Sequence, residues 1–121
     1  MSRKKILIVE DEQIFAHDIK DVIEEKGYEV CSIATSGDEA LEDIEKYKPD
    51  MLLIDIKLTG KMDGIQLSEK INNVHPIPII YITAYSDKKT IDEAMQTKPI
   101  AYLIKPILER ELVRIITDNL K

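Results

Sequence analysis

Ile6-Leu7-Ile8-Val9-Glu10-Asp11 decides the reading of this chain: four apolar residues in a row, then two carboxylates. An unbroken apolar block of this length suits a strand covered on both faces, since a strand with one wet face would alternate. Immediately afterwards the period changes. Phe15, Ile19, Val22 and Ile23 fall on one face of a helix predicted from Ile14 to Lys26, and Gly27 supplies its C-terminal stop.

Working outward, the same pairing of apolar run and amphipathic stretch recurs. Tyr28 to Ala34 reads as the second strand, and Ser36-Gly37-Asp38-Glu39 as a capping box opening a helix to about Lys46, with Leu41 and Ile44 inward. Pro49 ends that helix. Met51-Leu52-Leu53-Ile54 is the third strand, followed by a glycine-containing loop and a helix carrying Ile65, Leu67 and Ile71. Ile77 to Ile82 forms the fourth, with Pro78 tolerable only at its start. Ser86 is expected to cap a short helix through Met95, which Pro99 forbids from continuing. Ala101 to Ile104 is the fifth strand, and the last helix places Leu112, Ile115, Ile116 and Leu120 on one face. Strands alternating with helices imply an α/β fold with a parallel sheet, because parallel neighbours need helical crossovers.

The 121 residues carry no second composition regime, linker or repeat, so one domain over residues 1–121 is expected. A net charge of −6 and a pI near 4.9 argue against nucleic acid or an anionic membrane as the main partner, both of which need a basic face. The one cysteine, Cys31, cannot form an internal disulfide, which fits a reducing cytosol, and has no basic neighbour to make it reactive. Ile6 to Val9 is too short an apolar core for a signal peptide or a membrane span.

The polar residues just beyond the apolar runs carry the chemistry. The first strand ends in Glu10-Asp11, the third in Asp55, the fourth in Thr83 and the fifth in Lys105. In open doubly wound sheets, ligands bind beyond the carboxyl ends of the strands, where the winding reverses. If the strand order is 2-1-3-4-5, strands one and three are neighbours there, and Glu10, Asp11 and Asp55 would meet in one crevice beside Thr83 and Lys105. Three close carboxylates repel one another unless a cation intervenes, and an all-oxygen set this small suits Mg²⁺ better than Ca²⁺. The Asp55 carboxylate can then attack a phosphoryl group, while Thr83 and Lys105 share the charge on its oxygens. Taken singly, each residue has an ordinary explanation: a turn acid, helix caps, a strand-end hydroxyl, a strand stop. All four strand ends carrying complementary groups is what favours chemistry. His17 and His75 lie too far apart to make a metal site.

These residues resemble the receiver domains of two-component response regulators. The matching pieces are Ile8-Val9-Glu10-Asp11-Glu12, Leu53-Ile54-Asp55-Ile56, Met62-Asp63-Gly64, Tyr81-Ile82-Thr83-Ala84 and Tyr102-Leu103-Ile104-Lys105-Pro106. The resemblance implies a flavodoxin-like (βα)5 three-layer sandwich. It implies phosphotransfer to Asp55 from a sensor histidine kinase, a histidine phosphotransfer protein or a small acyl phosphate. Glu10, Asp11, Asp55 and the backbone carbonyl of Lys57 would hold Mg²⁺, with Mn²⁺ as a substitute. Thr83 and Tyr102 would couple the phosphoryl group to a surface built from the fourth helix, fifth strand and fifth helix, which docks a downstream output domain or protein. Lys105-Pro106 is expected to be cis, Ala84 and Tyr85 fall with Tyr102 among the switch residues, and Lys57 and Tyr85 occupy positions that tune the phosphoryl lifetime in the family. The chain would be cytoplasmic, a monomer or a weak phosphorylation-dependent dimer, and no enzyme beyond its own phosphotransfer and autodephosphorylation. Two regions depart from the family pattern: in the loop after Asp55, Thr59 stands where Pro is usual and Gly64 lies one residue further from Asp55 than usual, and Lys98-Pro99 replaces small residues before the fifth strand.

Competing readings are weaker. An aspartyl phosphatase of the haloacid dehalogenase type needs a second acid two residues after the first, and Lys57 stands there. A nucleotide or flavin module needs a glycine-rich loop after the first strand, where Glu10 and Asp11 would repel phosphate. A phosphorylation-independent interaction domain would be marked by loss of Asp55, Thr83 or Lys105, and all three are present.

Overall fold

A computed structural model describes residues 3–120. The elements are β1 (Lys5–Val9), α1 (Gln13–Glu25), β2 (Glu29–Ala34), α2 (Gly37–Tyr47), β3 (Met51–Ile54), α3 (Gly64–Asn72), β4 (Ile79–Thr83), α4 (Lys88–Met95), β5 (Ala101–Ile104) and α5 (Glu109–Asn119). The five strands form one sheet in the order β2-β1-β3-β4-β5, with every pair parallel.

The unbroken apolar runs are explained by the two layers they divide. Leu7 and Val9 of β1 pack with Leu52, Ile54 and Tyr81 under Ile44, Leu67, Ile71 and Ala94, that is, under α2, α3 and α4. The alternate residues Ile6 and Ile8 pack with Met51, Leu53 and Ile80 against Ile19, Ile23, Leu112 and Ile116 of α1 and α5. Each such side chain taken fully out of water contributes about 1.5–3 kcal/mol, so both faces of the sheet are strongly held. Because all strands run in parallel, their carboxyl ends share one edge, and the site lies there.

Helix ends account for most local differences from the sequence reading. At α1, Gly27 (φ +94°) follows the cap, and Tyr28 N–H donates to Ile23 O at 3.4 Å while Gly27 N–H donates to Glu24 O at 3.1 Å, the paired bonds that close a helix on glycine. The Ser36 box is half formed: its oxygen accepts from Glu39 N–H at 3.2 Å, but the Glu39 carboxylate accepts from Thr35 Oγ1 instead. A complete box forms at Asp63 and Gln66 on α3. The cap of α4 is Asp87 rather than Ser86, since the longer carboxylate accepts from both Thr90 N–H (3.0 Å) and Thr90 Oγ1 (2.7 Å). β4 begins at Ile79 rather than Ile77, after Pro78, whose carbonyl nevertheless accepts from Leu52 N–H.

Candidate functional site

Three backbone hydrogen bonds fix the strand ends relative to one another. Glu10 N–H donates to Ala34 O (2.8 Å), Asp55 N–H to Val9 O (2.9 Å) and Lys105 N–H to Thr83 O (2.8 Å). Gly64 holds the third strand end from below. Its N–H donates to Ile56 O at 2.7 Å, and the Asp55 carbonyl oxygen presses so close that no Cβ fits between them.

From this frame the side chains converge. One oxygen from each of Glu10, Asp11 and Asp55 lies within 4.8 Å of the others. Glu10 is 2% and Asp55 6% exposed, whereas Asp11 is half-buried. The Lys105 ammonium enters between them, donating to Glu10 Oε1 (2.7 Å), Asp55 Oδ2 (3.3 Å) and Glu12 Oε1 (3.3 Å), and it sits 4.3 Å from the centroid of the Phe15 ring. Thr83 is fully buried at the crevice wall, which Lys57, Ala84 and Tyr85 also line. Every position assigned from sequence to the acidic crevice therefore lies in it. Tyr102, whose hydroxyl donates to Tyr85 O at 2.8 Å, is half-buried beside it, and the Lys105-Pro106 peptide is cis. The imidazole of His75 instead pairs with Glu45 at 3.0 Å, remote from the crevice lining.

Charge is unevenly compensated here. Burial, with the nearby Asp55 charge, pushes the Glu10 carboxyl up to about 7 although the bond from Lys105 opposes this. For Lys105, burial pulls downward, but the bond to Glu10 and the Asp55 charge outweigh it and the ammonium is held above its usual range. Glu10, Asp11, Glu12 and Asp55 outnumber the two lysines of this crevice, Lys57 and Lys105, and a further cation would relieve the excess. Two oxygens each about 2.1 Å from one ion can be at most about 4.2 Å apart. The three carboxylate oxygens, within 4.8 Å of one another, would draw together around an ion, and their all-oxygen donor set fits a hard divalent cation such as Mg²⁺.

Beyond the crevice, Tyr85 ties two elements together. Its N–H faces Thr83 Oγ1 at 3.5 Å, and its carbonyl is the acceptor for the Tyr102 hydroxyl. The Tyr102 ring stacks obliquely on Tyr81 with centroids 5.9 Å apart. Thr97 Oγ1 spends its one proton on Ala94 O (2.6 Å), so the Tyr81 hydroxyl donates to it at 2.7 Å and joins the sheet to the end of α4. Cys31 behaves as a packing residue, its thiol pushed up to about 11 by burial.

Sequence reasoning missed Glu12 and Phe15 as partners of Lys105. Glu12 adjoins the acidic pair, yet nothing in its spacing distinguishes it from a helix cap. Phe15 falls on the inward face of its helix, and that spacing alone points only to the core.

The fold and crevice together define a doubly wound α/β domain with a carboxylate-rich site at its switch point. Residues 6–117 match the family described as response regulator receiver domain, and the chain belongs to that family. It is 34% identical over 110 residues to the transcriptional regulatory protein PdtaR of Mycobacterium tuberculosis, covering 91% of this chain and 53% of PdtaR. The chain thus spans about half the length of that relative. Against the chemotaxis protein CheY of Thermotoga maritima it is 32% identical over 111 residues, covering 91% of this chain and 92% of the other. Among solved structures, a CheY-like receiver domain protein from Methanospirillum hungatei superposes with a TM-score of 0.89 at 33% identity, covering 97% of this chain and 93% of the other. A two-component response regulator from Clostridium difficile gives 0.91 at 31%, covering 98% and 96%. Receiver domains use Mg²⁺ at an acidic pocket, and Glu10, Asp11 and Asp55 form such a pocket here.

Proposed function

We propose that this receiver domain, one unit over residues 1–121, accepts a phosphoryl group on Asp55 from a phosphohistidine of a sensor kinase or phosphotransfer protein in the cytoplasm. The observation that carries this reading is the convergence of Asp55 with Glu10 and Asp11, all within 4.8 Å, with Lys105 at 3.3 Å from the acceptor. An Asp55 oxygen bonds to phosphorus as the P–N bond to imidazole breaks, and the imidazole departs with the electron pair and is reprotonated. Lys105 remains beside the acceptor to offset the charge of the phosphoryl oxygens, and Thr83 offers a hydroxyl proton from the crevice wall. Held by Glu10, Asp11, Asp55 and the Lys57 carbonyl, Mg²⁺ or Mn²⁺ would supply the remaining positive charge. Hydrolysis of the acyl phosphate returns the domain to its starting state.

Tyr85 supports the output route. Movement of Thr83 toward a phosphoryl group pulls on the Tyr85 backbone, whose carbonyl holds the Tyr102 hydroxyl. Releasing Tyr102 alters the surface of α4, β5 and α5, biasing an existing equilibrium toward the form that docks an output domain or protein. The test is titration with beryllofluoride and Mg²⁺ followed by NMR. Resonances at Asp55, Thr83 and Tyr102 should shift together, and Asp55→Asn should abolish all three; shifts that survive in that variant would refute the mechanism.

A further inference from the structure

Of the three carboxylates, Asp11 is the one the fold leaves least constrained. Glu10 and Asp55 are buried and bonded to Lys105, but Asp11 is half-buried and receives nothing from that ammonium. Among the described residues, its carboxylate accepts one hydrogen bond, from Thr59 Oγ1 to Oδ2 at 3.3 Å. Thr59 is itself exposed, so no burial of its side chain explains why the hydroxyl faces inward. Its backbone does. Thr59 N–H donates to Thr35 O at 3.3 Å, and residue 59 forms an isolated parallel bridge with Ser36, which fastens the loop after β3 to the loop after β2. Gly60 (φ +98°) then turns the chain away from that bridge, a conformation that favours glycine. The hydroxyl is thus delivered to Asp11 by two loops that meet over the crevice.

We propose that Thr59 is a positioning residue for the divalent cation: its hydroxyl holds Asp11 in the rotamer that faces Glu10 and Asp55, leaving the second Asp11 oxygen for the metal. This rests on the reading of the crevice as an Mg²⁺ site. A hydrogen bond that orients a ligating carboxylate raises metal affinity by removing the freedom the ligand would otherwise lose on binding. The bond is long and partly solvated, so its effect belongs near the low end of such contributions. It is also particular to this chain's loop, since Pro at this position offers neither the hydroxyl nor the N–H.

The test uses the full chain and Mg²⁺ alone, with Thr59→Val, Thr59→Ser and wild type. Binding is followed by NMR at the Asp11 and Asp55 amides, and metal-free melting is recorded for each. Val keeps the shape and the N–H but loses the donor, and should weaken Mg²⁺ binding by about 3- to 10-fold. Ser keeps the hydroxyl and should bind within about twofold of wild type, while both variants melt like wild type without metal. Wild-type affinity in the Val variant, or equal weakening by Val and Ser, would overturn the role of Thr59 while leaving the metal site standing. A wild-type chain whose Asp11 and Asp55 signals ignore Mg²⁺ would overturn the site reading and this inference with it.

Discussion

Replacing Gly64 by Ala tests how the fold holds the phosphoacceptor. A Cβ at this position would meet the Asp55 carbonyl oxygen well inside contact distance, Ile56 Cα at 2.8 Å and Ile54 Cγ2 at 2.9 Å. Two of the three obstacles are backbone of the strand end that carries Asp55, so no rotamer change relieves them. Either the start of α3 retreats, breaking the Gly64 N–H to Ile56 O bond, or the Asp55 segment moves toward the crevice. Overpacking a tight site costs typically 1–3 kcal/mol and losing the bond about 1 more, so Gly64→Ala should destabilise by roughly 2–4 kcal/mol. For a domain of this size that lowers Tm by about 10 °C or more. Gly27→Ala is the comparison: no atom lies within 4 Å of its Cβ, and only the φ of +94° resists, at about 1 kcal/mol. Melting by circular dichroism ranks the two, and beryllofluoride binding reports whether Asp55 has moved. Equal stability losses, or a Gly64→Ala protein that binds beryllofluoride like wild type, would show that this close approach does not position the acceptor.

Other outcomes rest on the same geometry. Lys98 adopts φ +57° immediately before Pro99, a left-handed conformation that glycine takes without strain, so Lys98→Gly should stabilise by about 0.5–1 kcal/mol in urea unfolding; destabilisation would contradict this. Glu10 sits near 7 in the metal-free fold against 4.5 unfolded, so folding binds a proton between those values and metal-free stability falls as pH rises through that window. A cation at the crevice must displace that proton. Mg²⁺ affinity should therefore be roughly tenfold weaker at pH 6 than at pH 8 and flatten above 7, as isothermal titration would record; a flat profile would refute it.

Much of this was legible in order of appearance along the chain. β3 falls where the apolar run of Met51–Ile54 puts it, because a strand covered on both faces announces itself as a block, and β5 falls on Ala101–Ile104 although it is an edge strand with Ile104 exposed. The strand-end residues were legible for the same reason: once strand order is set, each polar residue beyond a block must face the shared edge. Helix caps were less so. Ser86 and Asp87 are both good caps, and the choice depended on which oxygen reaches Thr90, a distance that no pattern encodes. Glu12, Phe15 and Thr59 act through contacts between segments far apart in sequence: Lys105 lies 93 residues from Glu12, and Thr59 lies 48 from Asp11. Spacing within one element cannot reveal such pairs; only the meeting of loops over the sheet edge does.

The measurement closest to the central claim is chemical mapping of the acceptor. The full chain is incubated with acetyl phosphate with and without Mg²⁺, and borohydride then converts any aspartyl phosphate to homoserine for peptide mass spectrometry. Homoserine at position 55 alone, and only with the metal, is the predicted result. Modification at another carboxylate, or at Asp55 regardless of Mg²⁺, would contradict the account.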